Sequence, residues 1–154
     1  MDSDLEKAKK YCLRLLSVRP RTEREIETRL KDRGIGEDIR KDTVDLLKRD
    51  GLIDDLEFAR NWIDLRLRSN PKARKVLRME LNQKGVGDDF IDRAFLEKGP
   101  QLDERAIALG IVRKKAEESG FCLTPEDKGR LFRYVVRRGF DPETAEEVIE
   151  EVLR

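Results

Sequence analysis

Three glycines, Gly34, Gly85 and Gly139, stand 51 and 54 residues apart, and superimposing the chain on itself through them brings its apolar residues into register. Eight positions before the glycine are Ile26, Leu77 and Leu131, and four before it are Leu30, Leu81 and Val135. One position after it come Ile35, Val86 and Phe140, and ten after it come Val44, Phe95 and Ile149. A proline precedes each glycine by 14 residues: Pro20, Pro71 and Pro125. Positions four apart share a helix face, so each repeat holds a core-facing helix that stops at a C′ glycine and is followed by another helix. Strand-like alternation and hairpin dipeptides do not appear, so the chain reads as all-α.

Start signals agree with this register. Thr22 with Glu25 and Thr124 with Asp127 are spaced as capping boxes, Pro125 suits a first helical position, and Asn70-Pro71 opens the equivalent helix in the middle repeat. In the linker Gly51-Leu52-Ile53-Asp54-Asp55, the glycine stops one helix and Asp54 caps the next, with Glu57 at N3 and Ile53 and Phe58 at the spacing of a hydrophobic staple. Upstream helices near 5–18 and 55–68 align through Ala8 with Ala59 and Tyr11 with Trp62. A third, longer one is expected near 103–119, interrupted by Gly110 and followed by the apolar tag Phe121-Cys122-Leu123. The expectation is three tandem three-helix repeats, at 1–53, 54–99 and 100–154, stacked into an elongated helical array that can curve. Each unit of about 50 residues is too small to be robust alone and gains by burying its neighbour's face. No heptad seam is left over for a second copy, so a monomer is expected.

Composition removes much of the chemistry a chain can do. With no His at all, Ser-His-Asp and Cys-His arrangements, His-containing zinc sites and a His pH switch are excluded. Cys12 and Cys122 lie far apart without metal-knuckle spacing, which fits a reducing cytoplasm. The N-terminal segment carries charges and no apolar stretch, so neither a signal peptide nor a membrane span is expected. Asp54-Asp55 and Asp88-Asp89 sit at helix starts, where carboxylates cap. Gly34-Ile35-Gly36 and Gly85-Val86-Gly87 lack the lysine and preceding strand of a phosphate loop. Tyr11 and Trp62 read as core anchors. The expectation is a protein with no catalytic constellation, no metal and no cofactor.

Residues at several of these positions resemble a known family, the RecX regulatory proteins. The resemblance rests on Leu16, Arg19-Pro20, Thr22, Glu25-Ile26 and Arg29-Leu30 in the first repeat, together with Gly34. It continues through Gly51-Leu52-Ile53-Asp54-Asp55, Phe58-Ala59, Trp62 and Arg66, then Glu80-Leu81, Lys84-Gly85-Val86 and Arg137-Arg138-Gly139-Phe140. It implies three tandem three-helix repeats that bind in the groove of the RecA recombinase filament on DNA and inhibit recombination and coprotease activity. Members often carry a glycine-containing turn where this chain has Ser69-Asn70-Pro71-Lys72.

Local charge suggests where a partner would be met. Lys plus Arg is 34 against 33 Asp plus Glu, so the net charge of +1 favours no polyanion by itself. A three-helix unit also resembles a helix-turn-helix, but the final helices at 37–50, 88–98 and 142–153 are all net acidic, the reverse of what a DNA groove demands. Positive charge gathers instead in 60–84, which sums to +6, and in 128–138, where five cations meet no acid. Arg33, Lys84 and Arg138 precede the C′ glycines and are assigned to helix ends. Candidate partner-binding or DNA-binding residues are Arg66, Arg68, Lys72, Arg74, Lys75, Arg78, Arg130, Arg133 and Arg137. Arg74 and Arg78 share a face near the core stripe, whereas Arg130, Arg133 and Arg137 lie opposite theirs. Two alternatives remain open: a tandem helix-turn-helix-like DNA-binding protein acting without recombinase, and a helical-repeat adaptor.

Overall fold

The computed structural model describes residues 3–120 and 123–154, and all regular structure among them is helical. Helices α1 (Asp4–Val18), α2 (Glu23–Asp32) and α3 (Glu37–Arg49) form the first set. The second comprises α4 (Asp55–Ser69), α5 (Arg74–Gln83) and α6 (Asp88–Lys98). A 3-10 turn over Gly99–Leu102 leads to α7 (Glu104–Glu118), α8 (Pro125–Arg137) and α9 (Pro142–Val152). Of the twelve register residues, ten are buried, and only Ile35 and Phe95 are partly exposed. The 3.6-residue periodicity thus identified the core.

Caps account for most helix starts. Ser3 and Glu6 close a reciprocal box on α1, with Glu6 N donating to Ser3 Oγ at 3.2 Å. Thr124 and Asp127 do the same on α8. On α2 only half of the expected box forms. Thr22 accepts from Glu25 N at 3.2 Å, but the Glu25 carboxylate pairs with Arg19 at 2.9 Å rather than returning to the cap. Asp54 caps α4 through Glu57 N at 3.1 Å, as its spacing indicated.

Asn70-Pro71 does not cap α5. The exposed amide of Arg74 is taken instead by Glu104 Oε1 of α7 at 3.1 Å. Asp55 of α4 does the same for α2, accepting from Glu23 N at 3.0 Å. A carboxylate at the first position of each following helix set therefore satisfies an orphan amide of the preceding one, a tie of charge-assisted strength.

Helix α7 runs unbroken through Gly110 and has 15 residues, the same length as α1 and α4. The expected interruption and extra length are absent. The added residues of the third set fall after α7, where α8 has 13 residues against 10 in α2 and in α5, and burial of Ala108, Ile111 and Val112 outweighs the roughly 1 kcal/mol cost of one helical glycine. Within the apolar tag, Phe121 and Cys122 lie outside the described residues.

Contacts divide the chain into two units. The first comprises 1–62 and 80–94, the second 63–79 and 95–154. In the first, α1 and α2 pack on α3 around Ala8, Cys12, Ile26, Leu30, Val44, Leu47 and Ile53. In the second, α7 and α8 pack on each other and on α9 around Ala108, Val112, Val135, Phe140 and Val148, with Ala73 in the same cluster.

Candidate partner-binding surface

All nine cations singled out from the sequence fall in the second unit, although they come from two runs some 50 residues apart. What joins the runs is the turn at Gly139. Its φ of +97° is a left-handed conformation that glycine adopts without strain, and it lets the backbone approach the start of α5 closely. A Cβ at this position would stand 2.6 Å from Val76 Cγ2, 3.1 Å from Ala73 Cβ and 3.4 Å from Lys75 Cε. Next to it, the Ala73 amide donates to the Arg138 carbonyl at 2.9 Å. The Arg138 guanidinium donates to the side chain of Asn70, to Pro71 O at 3.3 Å and to Tyr134 Oη at 2.6 Å. Arg138 is thus a staple between the 70–73 loop and the end of α8. Its neighbour Arg137 is left exposed in the last turn of that helix, and Lys75 is exposed in the first turn of α5.

The nine cations are not equivalent. Arg74 Nη2 donates to Leu102 O at 3.1 Å, so this guanidinium is committed to holding the 3-10 turn. Arg78 is partly buried, with its guanidinium carbon 5.4 Å from the Phe95 ring centroid. Arg66 and Lys72 are also partly buried. Arg130, its side chain 71% exposed, stands 3.7 Å from Asp127 one turn earlier. Asp127 is held below the ordinary aspartate range chiefly by the Thr124 amide it accepts from. Lys75, Arg133 and Arg137 are likewise exposed on the two helices.

Arg68 takes a separate course. It lines a groove of about 450 Å³ with Lys114 and Lys115 of α7, Tyr134 and Arg138. Lys115 Nζ lies 5.0 Å from the Tyr134 ring centroid and 3.8 Å from Glu118. The lysines of α7 were passed over in the sequence because two acids, Glu117 and Glu118, follow them and cancel the local count.

Cations before the C′ glycines are more than complements to helix dipoles. Arg33 lies over the Tyr11 ring at 4.1 Å, Lys84 over Trp62 at 4.8 Å and Arg138 over Tyr134 at 4.3 Å. Tyr11 and Trp62 are accordingly partly exposed rather than sealed in the core, and Trp62 Nε1 donates to Glu80 at 3.0 Å. This pairing leaves a signal in sequence: the cation follows the aromatic residue by 22 positions in the first two repeats. At the third, the register places Ala116, and Tyr134 of α8 supplies the ring instead.

Of the paired acids, Asp54 and Asp55 act as caps. Asp55, which holds the Glu23 amide, is pushed above the ordinary aspartate range by loss of hydration. Cys12 is buried, and its thiol is raised to about 11 by the same cause, so it is no nucleophile at neutral pH. Among the described residues no helix is long and apolar enough to cross a membrane.

Two family models match the chain: the first three-helix domain of RecX over residues 8–47 and the second three-helix domain of RecX over 54–94. A regulatory protein RecX of Mycolicibacterium smegmatis is 38% identical over 148 residues, covering 94% of this chain and 78% of the relative. One from Mycobacterium ulcerans is 38% identical over 149 residues, covering 94% and 83%. The crystal structure of RecX from Lactobacillus salivarius shares the fold, with a TM-score of 0.79 at 22% identity over 97% of this chain and 96% of that one. Tandem three-helix architecture, repeat register and sequence relatives converge, and the chain belongs to the RecX family of regulatory proteins.

Proposed function

We propose that the chain is a non-enzymatic cytoplasmic regulator that binds the RecA recombinase filament on DNA, lies in its groove as a monomer and inhibits recombination and coprotease activity. The observation that carries this reading is the meeting of two cationic runs at the Gly139 turn. A protein whose net charge is only +1 does not gather polyanions indiscriminately. One that concentrates Lys75, Arg133 and Arg137 in one compact unit has a local surface for phosphate or an acidic protein face. Arg66, Lys72, Arg78 and Arg130 extend it, Arg68 adds the separate groove with Lys114 and Lys115, and Arg74 serves chiefly to hold the turn before α7. The repeat boundaries at 53/54 and 99/100 belong to the same proposal.

Acidic final helices argue against direct DNA reading: α9 has acids at 143, 146, 147, 150 and 151 and no base before Arg154. The experiment is a binding comparison between bare single-stranded DNA and the same DNA coated with recombinase, followed across salt. Tighter binding to the coated strand, accompanied by inhibition of strand exchange, is the expected result. Equal affinity for both would favour the DNA-binding alternative, and indifference to both would favour an adaptor.

A further inference from the structure

Along Arg19-Pro20-Arg21-Thr22-Glu23-Arg24-Glu25-Ile26-Glu27-Thr28-Arg29, bases and acids alternate, and their charges nearly cancel. Folding separates them. Glu23 turns to Lys48, 3.3 Å away. In the first unit a shallow groove of about 260 Å³ is lined by Arg19, Arg21, Arg24, Arg29 and Lys84 against the single carboxylate of Glu25. Much of this charge has structural work. Arg19 pairs with Glu25, the Arg24 guanidinium donates to the carbonyls of Asn82 and Gln83, and Lys84 covers Trp62.

Arg21 is different. It is only 9% exposed, it lines the groove, and its Nε has no hydrogen-bond partner among the described residues. A buried guanidinium nitrogen without an acceptor is uncommon, because nothing replaces the hydration that its N–H has lost. Its proton affinity is lowered chiefly by that loss and further by Arg19 and Arg29, with Glu25 opposing, and the lining itself sets five cations against one carboxylate. Glu25 Oε2 stands 2.9 Å from Arg19 Nη2 and makes no hydrogen bond to Arg21 Nε among the described residues, so the carboxylate already there leaves the surplus in place. A phosphate group presents acceptor oxygens in several directions and can bridge two guanidinium groups, which a single carboxylate does poorly.

We infer that this groove is a phosphate-binding site, in which Arg21 and Arg29 hold one phosphate group and the Thr28 hydroxyl stands by as a further donor. The phosphate is one carried on a polynucleotide backbone or one free in solution. Neither Arg21 nor Arg29 belongs to the cationic surface of the second unit, and the test contains no recombinase. The inference and the regulatory reading therefore stand or fall separately.

The experiment uses the full chain, R21Q and R29Q, with R29Q altering an exposed side chain so that the fold is kept; circular dichroism and melting verify this for both. Anisotropy with a fluorescein-labelled single-stranded oligonucleotide is measured across salt. Melting is measured with inorganic phosphate against chloride at equal ionic strength. Each variant is expected to lose oligonucleotide affinity roughly tenfold at low salt and to shallow the log–log salt slope by about 0.7. Phosphate is expected to raise the wild-type melting temperature and not that of the variants. A response to the oligonucleotide alone assigns the site to backbone phosphate, and a response to inorganic phosphate alone assigns it to the free ion. If R29Q binds both as wild type does, or if a polyglutamate peptide of equal charge displaces the oligonucleotide equally well, the phosphate site is overturned.

Discussion

The Thr22 hydroxyl donates to the Lys84 carbonyl at 2.5 Å. Shifted by one repeat, Ala73 takes the place of Thr22 and Arg138 that of Lys84, and the Ala73 amide donates to the Arg138 carbonyl at 2.9 Å. The same shift carries Arg24, which packs on Gly85, to Lys75, which packs on Gly139. It also carries the Glu23 amide to the Arg74 amide, and the caps of these two, Asp55 and Glu104, correspond as the first residues of α4 and α7. One joint is thus built twice, once in each unit, with the C′ glycine turn of one helix set seated on the start of the preceding set's second helix. Cations gather at both because the joint is made of a helix C-terminus, with its outward carbonyls, and a chain that must satisfy them.

Substituting Gly139 by Ala tests that joint. A side chain at φ +97° is strained, and its Cβ would press on Val76 Cγ2 at 2.6 Å and on the buried Ala73 Cβ at 3.1 Å, short side chains that cannot swing away. Chemical denaturation is expected to show a loss of about 2 to 4 kcal/mol. Gly34→Ala is the comparison: its φ is +79°, but nothing lies within 4 Å of the added carbon, so only conformational strain of about 1 to 2 kcal/mol is expected. Equal losses at both positions would mean that the seat at Gly139 contributes nothing.

Trp62, the sole tryptophan, reports on the first unit. Its ring stacks on Phe58 with centroids 6.2 Å apart, lies beneath Lys84 and donates to Glu80. Trp62→Phe keeps the stack and removes the hydrogen bond, and about 1 kcal/mol should be lost. Trp62→Ala should cost less than the roughly 3 to 5 kcal/mol of a fully buried aromatic, because the ring is partly exposed. A loss within that higher range would return Trp62 to the core.

Two aspartates should give opposite pH dependences. The Asp55 carboxyl is raised by burial, so the folded chain binds its proton more tightly than the unfolded one, and stability falls as pH rises from the ordinary aspartate value through the folded one. Asp127 is lowered by the Thr124 amide, so it contributes stability above the unfolded value that is lost as pH falls through the folded one. Melting temperatures between about pH 2 and 6 should show Asp55→Asn removing a decline with rising pH, and Asp127→Asn removing a gain. The same sign in both variants would refute the assignment.

The apolar register was readable because helix burial is a local pattern: Ile26 and Leu30, or Leu131 and Val135, declare their face by spacing alone. The joint was not readable. Asp55 and Glu104 look like first-turn acids of their own helices, and only the fold reveals that they cap amides 32 and 30 residues earlier. Arg138 looked like a helix-end cation, and its reach to Asn70 and Pro71 depends on the folded turn. Arg21 and Arg29 were hidden for a different reason. Counting charge along the chain averages over faces that a helix separates, so Glu23 and Glu27 masked them.

Reversing Lys75, Arg133 and Arg137 together to Glu is the sharpest test of the regulatory surface. These three are exposed in the second unit and make no ion pair or side-chain hydrogen bond among the described residues, so the melting temperature should move little. Inhibition of recombinase strand exchange should be lost, and whatever binding remains should respond less steeply to salt than wild type. Arg74→Glu should behave in the opposite order. It removes the bond to Leu102 O and sets a carboxylate beside Glu104, so about 1 to 2 kcal/mol of stability should go before inhibition does. Arg33→Gln is the control in the first unit, where the guanidinium lies over Tyr11 at a helix end and its loss should cost about 1 kcal/mol or less. Should the triple reversal inhibit as well as wild type at moderate salt, these cations are only a solvated face. The regulatory contact would then have to lie elsewhere, with the groove of Arg68, Lys114 and Lys115 the next to be reversed.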